Sequence, residues 1–458
     1  MKLNEEAAPV PKSGTRSNWN EEASPVQKRS KSMKYSIDTY KLYQSDDRFS
    51  YVIRVKVTMK EPVDSEILTH AVNTAITRYP YFAVRVAQGK DGGYKLLPND
   101  KPVAVLPIAE QPRFVCSDEV NKHLLFVEYH GKDMFFNISH AMCGGKGAVP
   151  WVMTNVYQYV KEKYGIEPDA PEIRKPGEPL LEGENTEPTL DMLTTEPQIY
   201  TRRPAKPTVM IMDYMNGLYN PFLRSNTFHV FEFRQKDVMD LARGNDNSVN
   251  SFFMVVMAKA LDKVLPANNQ IIRGESAHNT FAGLGIPNSR FDMLSHVWVD
   301  YDRSQLKWDL EKLGTMTRGQ FILQTDPTFS HPQMRKLFKL YDEIDNISGL
   351  KNKREYIEKH NPTTGKDAEH GTFLVNYTGE MHWGEVAEYI ESYVGVVDGH
   401  LVLEITAMEG EFFISFMQMV KGNKYIDAFR QVLDELGLEY RMTGPFPKHL
   451  AKHSQPVD

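Results

Sequence analysis

The chain has 458 residues, of which 41% are hydrophobic and 25% charged, so it is long enough for about three domains of roughly 150 residues and for a large core. Its formal net charge is −6, and the absence of a long basic segment argues against a nucleic-acid-binding surface. Two cysteines, Cys116 and Cys143, are too few for a disulfide scaffold and indicate a reducing, cytoplasmic environment. No apolar run approaches the roughly 20 residues of a membrane span.

The first 32 residues are polar and rich in Glu, Ser, Lys and Pro. Such a composition buries too little apolar surface to offset the entropy of ordering, so residues 1–32 are predicted to be a disordered tail. Within this tail the segment Asn4–Lys12 nearly repeats as Asn20–Lys28. The repeat is interpreted either as a simple duplication or as a short docking peptide for a partner.

The first ordered elements alternate between strand and helix. Apolar and polar residues alternate along Tyr51–Met59, which predicts a half-buried strand. Asp64 is the expected N-cap of a helix that reaches Tyr79, and Phe82–Val86 is the next expected strand. Two further strands are expected at Leu124–His130 and Met134–Ser139, joined by a hairpin turn at Gly131-Lys132.

A helix is expected after the glycines at positions 144, 145 and 147, and Gly165 marks its end. Residues 165–207 are rich in Pro, Glu, Thr and Gly and lack periodicity, which predicts a linker or long crossover. Strands are expected in the second half at Asn226–Arg234, Thr372–Tyr377, Leu401–Ala407 and Glu411–Gln418, with a turn at Glu409-Gly410 between the last two. Helices are expected to Val264 with Ser248 or Asn250 as the cap, at Ser304–Gln324, at Met334–Ile347 and at Lys424–Leu436. We therefore expect two similar α/β domains, 33–207 and 208–458.

His140 follows the strand Met134–Ser139 and precedes the glycine-rich turn. A histidine in this position is held by rigid backbone and left open on one side, which is the placement that a general base requires. A neutral imidazole has a reference pKa of about 6.5, so it can accept a proton at neutral pH.

The stretch SHAMCGGKG around His140 resembles the HxxxDG signature of the chloramphenicol-acetyltransferase-like superfamily, which includes alcohol acyltransferases and the condensation domains of peptide synthetases. The resemblance extends to TYKLYQSDDRFSYVIRVKV and YPYFAVRV in the first half, and to IPNSRFDMLSHVWVDY and FLVNYTGEMHWGE in the second. It covers roughly residues 35–440 and is greatest to stand-alone bacterial acyltransferases. One position departs from the signature, because Gly144 stands where the family has a structural aspartate.

The resemblance implies a fold of two back-to-back chloramphenicol-acetyltransferase-like α/β domains with an active-site tunnel at their interface. It also implies an acyltransferase that moves an acyl group from an acyl-CoA or an acyl-carrier-protein thioester to a small-molecule hydroxyl or amine, with O-acyl transfer expected. No bound cofactor, metal or nucleic acid is expected, and the chain is expected to be a monomer or weak oligomer. His140 inherits the role of general base.

Other site residues follow from the resemblance and from their positions near His140. Expected oxyanion donors or tunnel-lining residues are Ser139, Cys143, Gly144, Gly145, Asn376, Tyr377 and Thr378. Expected donor-binding residues are Arg273, Asn279 and Asn288.

Two alternatives to an acyltransferase stay open. The glycine at position 144 is compatible with a degenerate, non-catalytic member of the family that binds a thioester, a lipid or a carrier protein. Cys143, three residues after His140, is also a candidate thiol nucleophile for a hydrolase. A metal site is not expected, because His130 and His140 lack a metal-ligand spacing such as HExxH.

Overall fold

A computed structural model describes residues 37–44, 51–195, 207–209, 225–266, 270–361 and 371–454. The expected tail at 1–32 and its repeat lie outside these residues. The strands of the described part are β1 (Val52–Met59), β2 (Val84–Gln88), β3 (Tyr94–Pro98), β4 (Val105–Pro107), β5 (Phe114–Val115), β6 (Leu125–His130), β7 (Asp133–Ser139), β8 (Thr227–Arg234), β9 (Ile272–Asn279), β10 (Leu294–Tyr301), β11 (Phe373–Glu380), β12 (Ile390–Val396), β13 (Leu401–Met408), β14 (Glu411–Gln418), β15 (Arg441–Pro447) and β16 (Lys452–His453).

The α-helices lie between these strands and mostly follow the apolar periodicity of the sequence. They are α1 (Ile37–Lys41), α2 (Ser65–Ala75), α3 (Gly145–Tyr164), α4 (Gln235–Gly244), α5 (Val249–Val264), α6 (Leu310–Thr325), α7 (Pro327–Asp345), α8 (Leu350–His360) and α9 (Lys424–Glu435). None of the helices in these ranges combines the length and apolar character needed to cross a bilayer.

The capping residues expected from the sequence are confirmed. The side chain of Asp64 accepts hydrogen bonds from the first backbone amides of α2, and Ser248 forms a capping box with Ser251 at the start of α5. Gly165 ends α3 in the left-handed region, with φ of 63°. Two helices begin at other positions than expected. Asp309 caps α6, which begins later than the expected Ser304, and Asp326 caps α7, which begins earlier than the expected Met334.

The first sheet has the strand order β12-β1-β7-β6-β4. The hairpin between β6 and β7 turns at Gly131, where φ is 58°, as the sequence predicts. Strand β12 comes from the second half of the chain and pairs antiparallel with β1. Sheet membership therefore does not follow the expected boundary at residue 207, and the division into 33–207 and 208–458 stays a prediction.

The second sheet has the order β10-β9-β11-β13-β14-β8-β15, and helices pack on one of its faces. Alternate residues of its central strands, such as Leu403 and Ile414, pack against Phe252 of α5 and Phe429 of α9 in one apolar cluster. The turn Glu409-Gly410 joins β13 to β14 with both residues at positive φ, which confirms the predicted hairpin.

The opposite face of the second sheet faces the body built on the first sheet. Val402 and Phe413 on this face belong to the same apolar cluster as Val55 and Phe136 of the first sheet. Side chains alternate along a strand, so Glu404 shares the face of Val402. The two sheets thus share a core that includes polar groups, and this is the region that contains His140.

The connection at 165–195 has little regular structure but is firmly packed. Glu184 has no exposed surface and pairs with the equally buried guanidinium of Arg78, with Nη2 2.8 Å from Oε2. The phenol of Tyr81 donates to the same carboxylate. Charge-assisted hydrogen bonds from a bidentate arginine satisfy a carboxylate well, so this connection is fixed to the first body.

Candidate active site

His140 directly follows β7 and remains attached to the neighbouring strand. Its backbone N–H donates to the carbonyl of Tyr51 over 2.9 Å, which extends the β1–β7 ladder by one residue. Its ring stacks on the ring of Tyr51, with centroids 5.3 Å apart. The side chain keeps 27% of its surface exposed, so the imidazole is held on one side and open on another, as the sequence predicts.

The Nδ1 atom of His140 faces a buried carboxylate that the sequence analysis did not identify. Oδ2 of Asp292 lies 3.1 Å from Nδ1, and the Asp292 side chain is only 6% exposed. Lys41 of α1 contacts both Oδ2 and the backbone carbonyl of Asp292. Burial alone would raise the pKa of Asp292, but Lys41 and His140 outweigh it and hold this pKa well below its ordinary value. Asp292 is therefore ionised at neutral pH.

A second buried ion pair connects the same two segments. Asp292 and Arg290 lie in the loop between β9 and β10, and Nη2 of Arg290 is 2.8 Å from Oδ2 of Asp38 in α1. Nη1 of Arg290 donates to the carbonyl of Met142, just after His140. The loop and α1 are thus joined by two buried ion pairs, Asp292 with Lys41 and Arg290 with Asp38, beside the turn that follows His140.

The glycines of the turn give room to this loop. A β-carbon on Gly147 would lie 2.4 Å from the carbonyl oxygen of Arg290, a distance no real side chain tolerates. A β-carbon on Gly144 would lie 3.0 Å from Oδ1 of Asp292, whereas one on Gly145 would meet nothing nearer than the Thr378 methyl at 4.0 Å. Gly144 and Gly147 therefore permit close approach by the β9–β10 loop.

Ser139 and Cys143 are both fully buried. Oγ of Ser139 is 2.8 Å from Nε2 of His453, in the C-terminal segment that pairs with β5. Burial, with the charge of Arg354, lowers the pKa of His453 to about 3, so this imidazole is neutral. Burial raises the pKa of the Cys143 thiol, so Cys143 is a thiol and not a thiolate at neutral pH.

The expected oxyanion residues of β11 lie on different faces of the second sheet. The ring of Tyr377 packs edge to face on Phe412, on the helix-covered side. Asn376 lies on the face toward His140, where its Oδ1 accepts from the backbone N–H of Ala277 over 3.0 Å. The hydroxyl of Thr378 donates to the carbonyl of Ile405 over 3.1 Å. Since a hydroxyl has one proton, Thr378 has no further hydrogen bond to donate, whereas the amide of Asn376 has two N–H donors.

Glu404 of β13 is a second residue that sequence reasoning missed. It is 7% exposed and accepts a hydrogen bond from Nδ2 of Asn376 over 3.3 Å. A β-carbon on Gly395 of β12 would lie 3.0 Å from its Cγ, so Glu404 packs directly between the two sheets. Burial raises its pKa to about 7, and Asn376 and the charge of His140 act in the opposite direction. The sequence feature that could have revealed Glu404 is its position as the one charged residue in the otherwise largely apolar strand LVLEITAM.

The three expected donor-binding residues do not converge. Nε of Arg273 is 2.7 Å from Asp300 on β10, with only 3% of the arginine side chain exposed. Oδ1 of Asn279 accepts from the N–H of Phe281, and Nδ2 of Asn288 donates to the carbonyl of Glu182. Each side chain thus serves a local structural contact. Over the ranges described, no group of three or more His, Cys, Asp or Glu side chains is arranged to hold a metal ion.

Comparison with known proteins gives matches in structure but not in sequence. No family model and no curated protein sequence matches the chain. TRI101 of F. graminearum, complexed with coenzyme A and T-2 mycotoxin, has a TM-score of 0.58 at 12% identity over 90% of this chain and 99% of that one. Polyketide synthase associated protein 5 of Mycobacterium tuberculosis has a TM-score of 0.56 at 14% identity, over 88% and 96%.

Two further solved structures with a similar fold are an O-acetyltransferase and a peptide-synthetase domain. The TRI3 trichothecene 15-O-acetyltransferase of Fusarium sporotrichioides has a TM-score of 0.53 at 10% identity, over 87% of this chain and 93% of that one. The epimerization domain from the third module of tyrocidine synthetase B has a TM-score of 0.50 at 12% identity, over 87% and 94%. The chain therefore has the same fold as these acetyltransferase and peptide-synthetase domains, which is the fold that the resemblance around His140 implies.

Proposed function

We propose that this protein transfers an acyl group from an acyl-CoA thioester to a small-molecule acceptor, with His140 as the general base. The observation that carries the proposal is the setting of His140, whose Nδ1 is buried against Asp292 while 27% of the side chain stays exposed. A base needs one fixed nitrogen and one accessible nitrogen. Likeness to TRI101, solved with coenzyme A, and to a 15-O-acetyltransferase supports a CoA donor and a hydroxyl acceptor.

In the proposed reaction His140 takes up one proton and later gives the same proton back. Nε2 takes the proton of the acceptor O–H or N–H as the acceptor atom attacks the thioester carbonyl. The tetrahedral intermediate then expels the thiolate, which receives the same proton from Nε2, so the products are the ester or amide and free CoA. Such general acid–base catalysis contributes about 10²- to 10⁴-fold in rate, and alignment of the two substrates supplies much of the remainder.

Asn376 is the residue we propose as oxyanion donor. Its Oδ1 is held by the N–H of Ala277, so its amide nitrogen points the other way, toward Glu404. The carboxylate of Glu404 in turn interacts with the charge of His140. One N–H bonds to Glu404, and the second is available to a tetrahedral oxygen. A fixed amide of this kind requires no reorganisation as charge develops.

The alternative activities predict different results. A thiol hydrolase is disfavoured, since Cys143 is fully buried and burial raises its pKa. A non-catalytic binding protein predicts affinity for acyl-CoA without turnover. The tunnel, the carrier-protein donor, the cytoplasmic location and the monomeric or weakly oligomeric state stay predictions.

The test is release of free thiol from a panel of acyl-CoA thioesters, with and without alcohols and amines. We expect acceptor-dependent thiol release by the native chain and its loss in His140→Ala. His130→Ala, at the exposed end of β6, is the matched control and should retain activity. Equal turnover by His140→Ala would remove His140 from the mechanism. Acyl-CoA binding with no turnover for any acceptor would favour the non-catalytic alternative.

A further inference from the structure

The space beside Gly144 is occupied by a carboxylate from another part of the chain. Gly144 is the N-cap of the 20-residue helix α3, and a β-carbon there would lie 3.0 Å from Oδ1 and 3.6 Å from Cγ of Asp292. The motif position that lacks an aspartate therefore faces an aspartate that arrives from the β9–β10 loop. A side chain at 144 and the carboxyl group of Asp292 would compete for the same volume.

The contacts of Asp292 divide between its two oxygens. Oδ2 contacts Nδ1 of His140 at 3.1 Å and is also in contact with Lys41 Nζ. Oδ1 is buried without a hydrogen bond among the described residues and lies toward Gly144 at the N-terminus of α3. The amide dipoles of a helix N-terminus favour a negative charge, so this end of α3 supports the ionised state.

Nδ1 of His140 is likewise buried and has no aligned hydrogen bond in the described structure. The carboxylate at 3.1 Å is the charged group that faces this ring nitrogen. The group bonded to one ring nitrogen sets the tautomer and leaves the other nitrogen as base.

We propose that Asp292 is the positioning residue of His140: it keeps the proton on Nδ1, leaves Nε2 free as the base and stabilises the imidazolium that forms during the reaction. Lys41 in turn holds the carboxylate in place from α1. The carboxylate beside Gly144 is thus supplied by residue 292 of the β9–β10 loop. The catalytic consequence rests on the proposed acyl transfer, but the tautomer does not.

The first test is ¹⁵N NMR of protein labelled at histidine nitrogens, with the His140 signal assigned by its loss in His140→Ala. At a pH where the ring is neutral, we expect the native His140 to carry its proton on Nδ1. In Asp292→Asn the population with the proton on Nε2 should rise severalfold. A native ring protonated on Nε2, or an unchanged tautomer in the variant, would overturn the proposal without any substrate being needed.

Two further variants separate positioning from folding. Asp292→Asn leaves the buried ammonium of Lys41 without its carboxylate, so Lys41→Met/Asp292→Asn is the companion variant that removes both charges. Asp38→Asn is the matched control, because Asp38 makes the parallel buried ion pair with Arg290. It should lower the melting temperature and leave the His140 tautomer as in the native protein. A tautomer change equal to that of Asp292→Asn would reduce Asp292 to a general structural role.

Activity gives the second readout. With the acyl-CoA and acceptor found active, Asp292→Asn should lower kcat by about 10²- to 10⁴-fold, the range for a base left in the wrong tautomer. KM should change much less, since Asp292 is buried behind the histidine. A loss confined to KM would contradict positioning. If no substrate pair is active, the proposed function fails while the tautomer result still decides the role of Asp292.

Discussion

Gly144 and Asp292 fit so closely that a single added carbon on Gly144 would lie 3.0 Å from the carboxylate oxygen Oδ1. Asp292 cannot easily withdraw, because Lys41 and His140 contact its other oxygen. The glycine and the aspartate are therefore a complementary pair, one at the start of α3 and the other in the β9–β10 loop.

Gly144→Ala should consequently destabilise the protein by about 1–3 kcal/mol through overpacking. In an Asp292→Ala background the same change should cost much less, because the carboxylate no longer fills the space. Denaturant unfolding of the two single variants and the double variant gives the coupling energy. Gly145→Ala is the control, since its β-carbon would meet nothing closer than 4.0 Å. A coupling energy near zero would contradict this fit. Gly144→Asp should be at least as damaging and should not improve activity.

Glu404 should make the stability depend on pH between about 4.5 and 7. Its pKa is raised from 4.5 to about 7 in the folded protein, so the folded state binds more protons than the unfolded state within this range. The contribution of Glu404 to stability therefore falls as pH rises from 4.5 to 7, by about 3 kcal/mol in total. Glu404→Gln should be more stable than the native chain at pH 8 and similar at pH 4.5.

Thermal melts at the two pH values measure this difference. The exposed Glu409→Gln in the β13–β14 turn serves as the control and should show no such dependence. If Glu404→Gln changed stability equally at both pH values, the pKa of Glu404 would not be raised in the folded protein.

Replacement of Asn376 should lower kcat, whereas replacement of Tyr377 or Thr378 should leave kcat nearly unchanged. Asn376→Ala removes the proposed oxyanion donor and should lower kcat by about 10²- to 10³-fold. Thr378→Val removes a hydrogen bond to the Ile405 carbonyl, which contributes about 1 kcal/mol to stability. Tyr377→Phe alters only the helix-covered face. Steady-state kinetics on folded variants decides the assignment, and a larger kcat loss in Thr378→Val would transfer the role to the hydroxyl.

Cys143→Ala should retain acyltransferase activity and be less stable by about 1–2 kcal/mol, because it leaves a small cavity in a closed core. The Cys143 thiol of the native protein should also resist alkylation by iodoacetamide, since it is fully buried. Abolition of thiol release in Cys143→Ala, with folding intact, would revive the hydrolase interpretation.

The sequence alone determined the elements whose signals are local. Alternation along Tyr51–Met59, the cap at Asp64 and the turn at Glu409-Gly410 depend on neighbouring residues, so backbone sterics and hydrogen bonding settle them within a few positions. The same local order placed His140 at a strand end. Strand β12 was not predicted, because its burial does not alternate and its pairing with β1 joins distant parts of the chain.

Only the tertiary structure decided which groups surround His140. Asp292 and Lys41 come from segments far from it in sequence, and nothing in the local pattern of either segment indicates the other. Their one signal is a charge between apolar neighbours, as in Asp292 between Phe291 and Met293. Two buried charges are tolerable only when they meet, and where they meet is fixed by the packing of the two sheets. The sequence thus singled out His140, whereas the fold supplied the carboxylate that faces it.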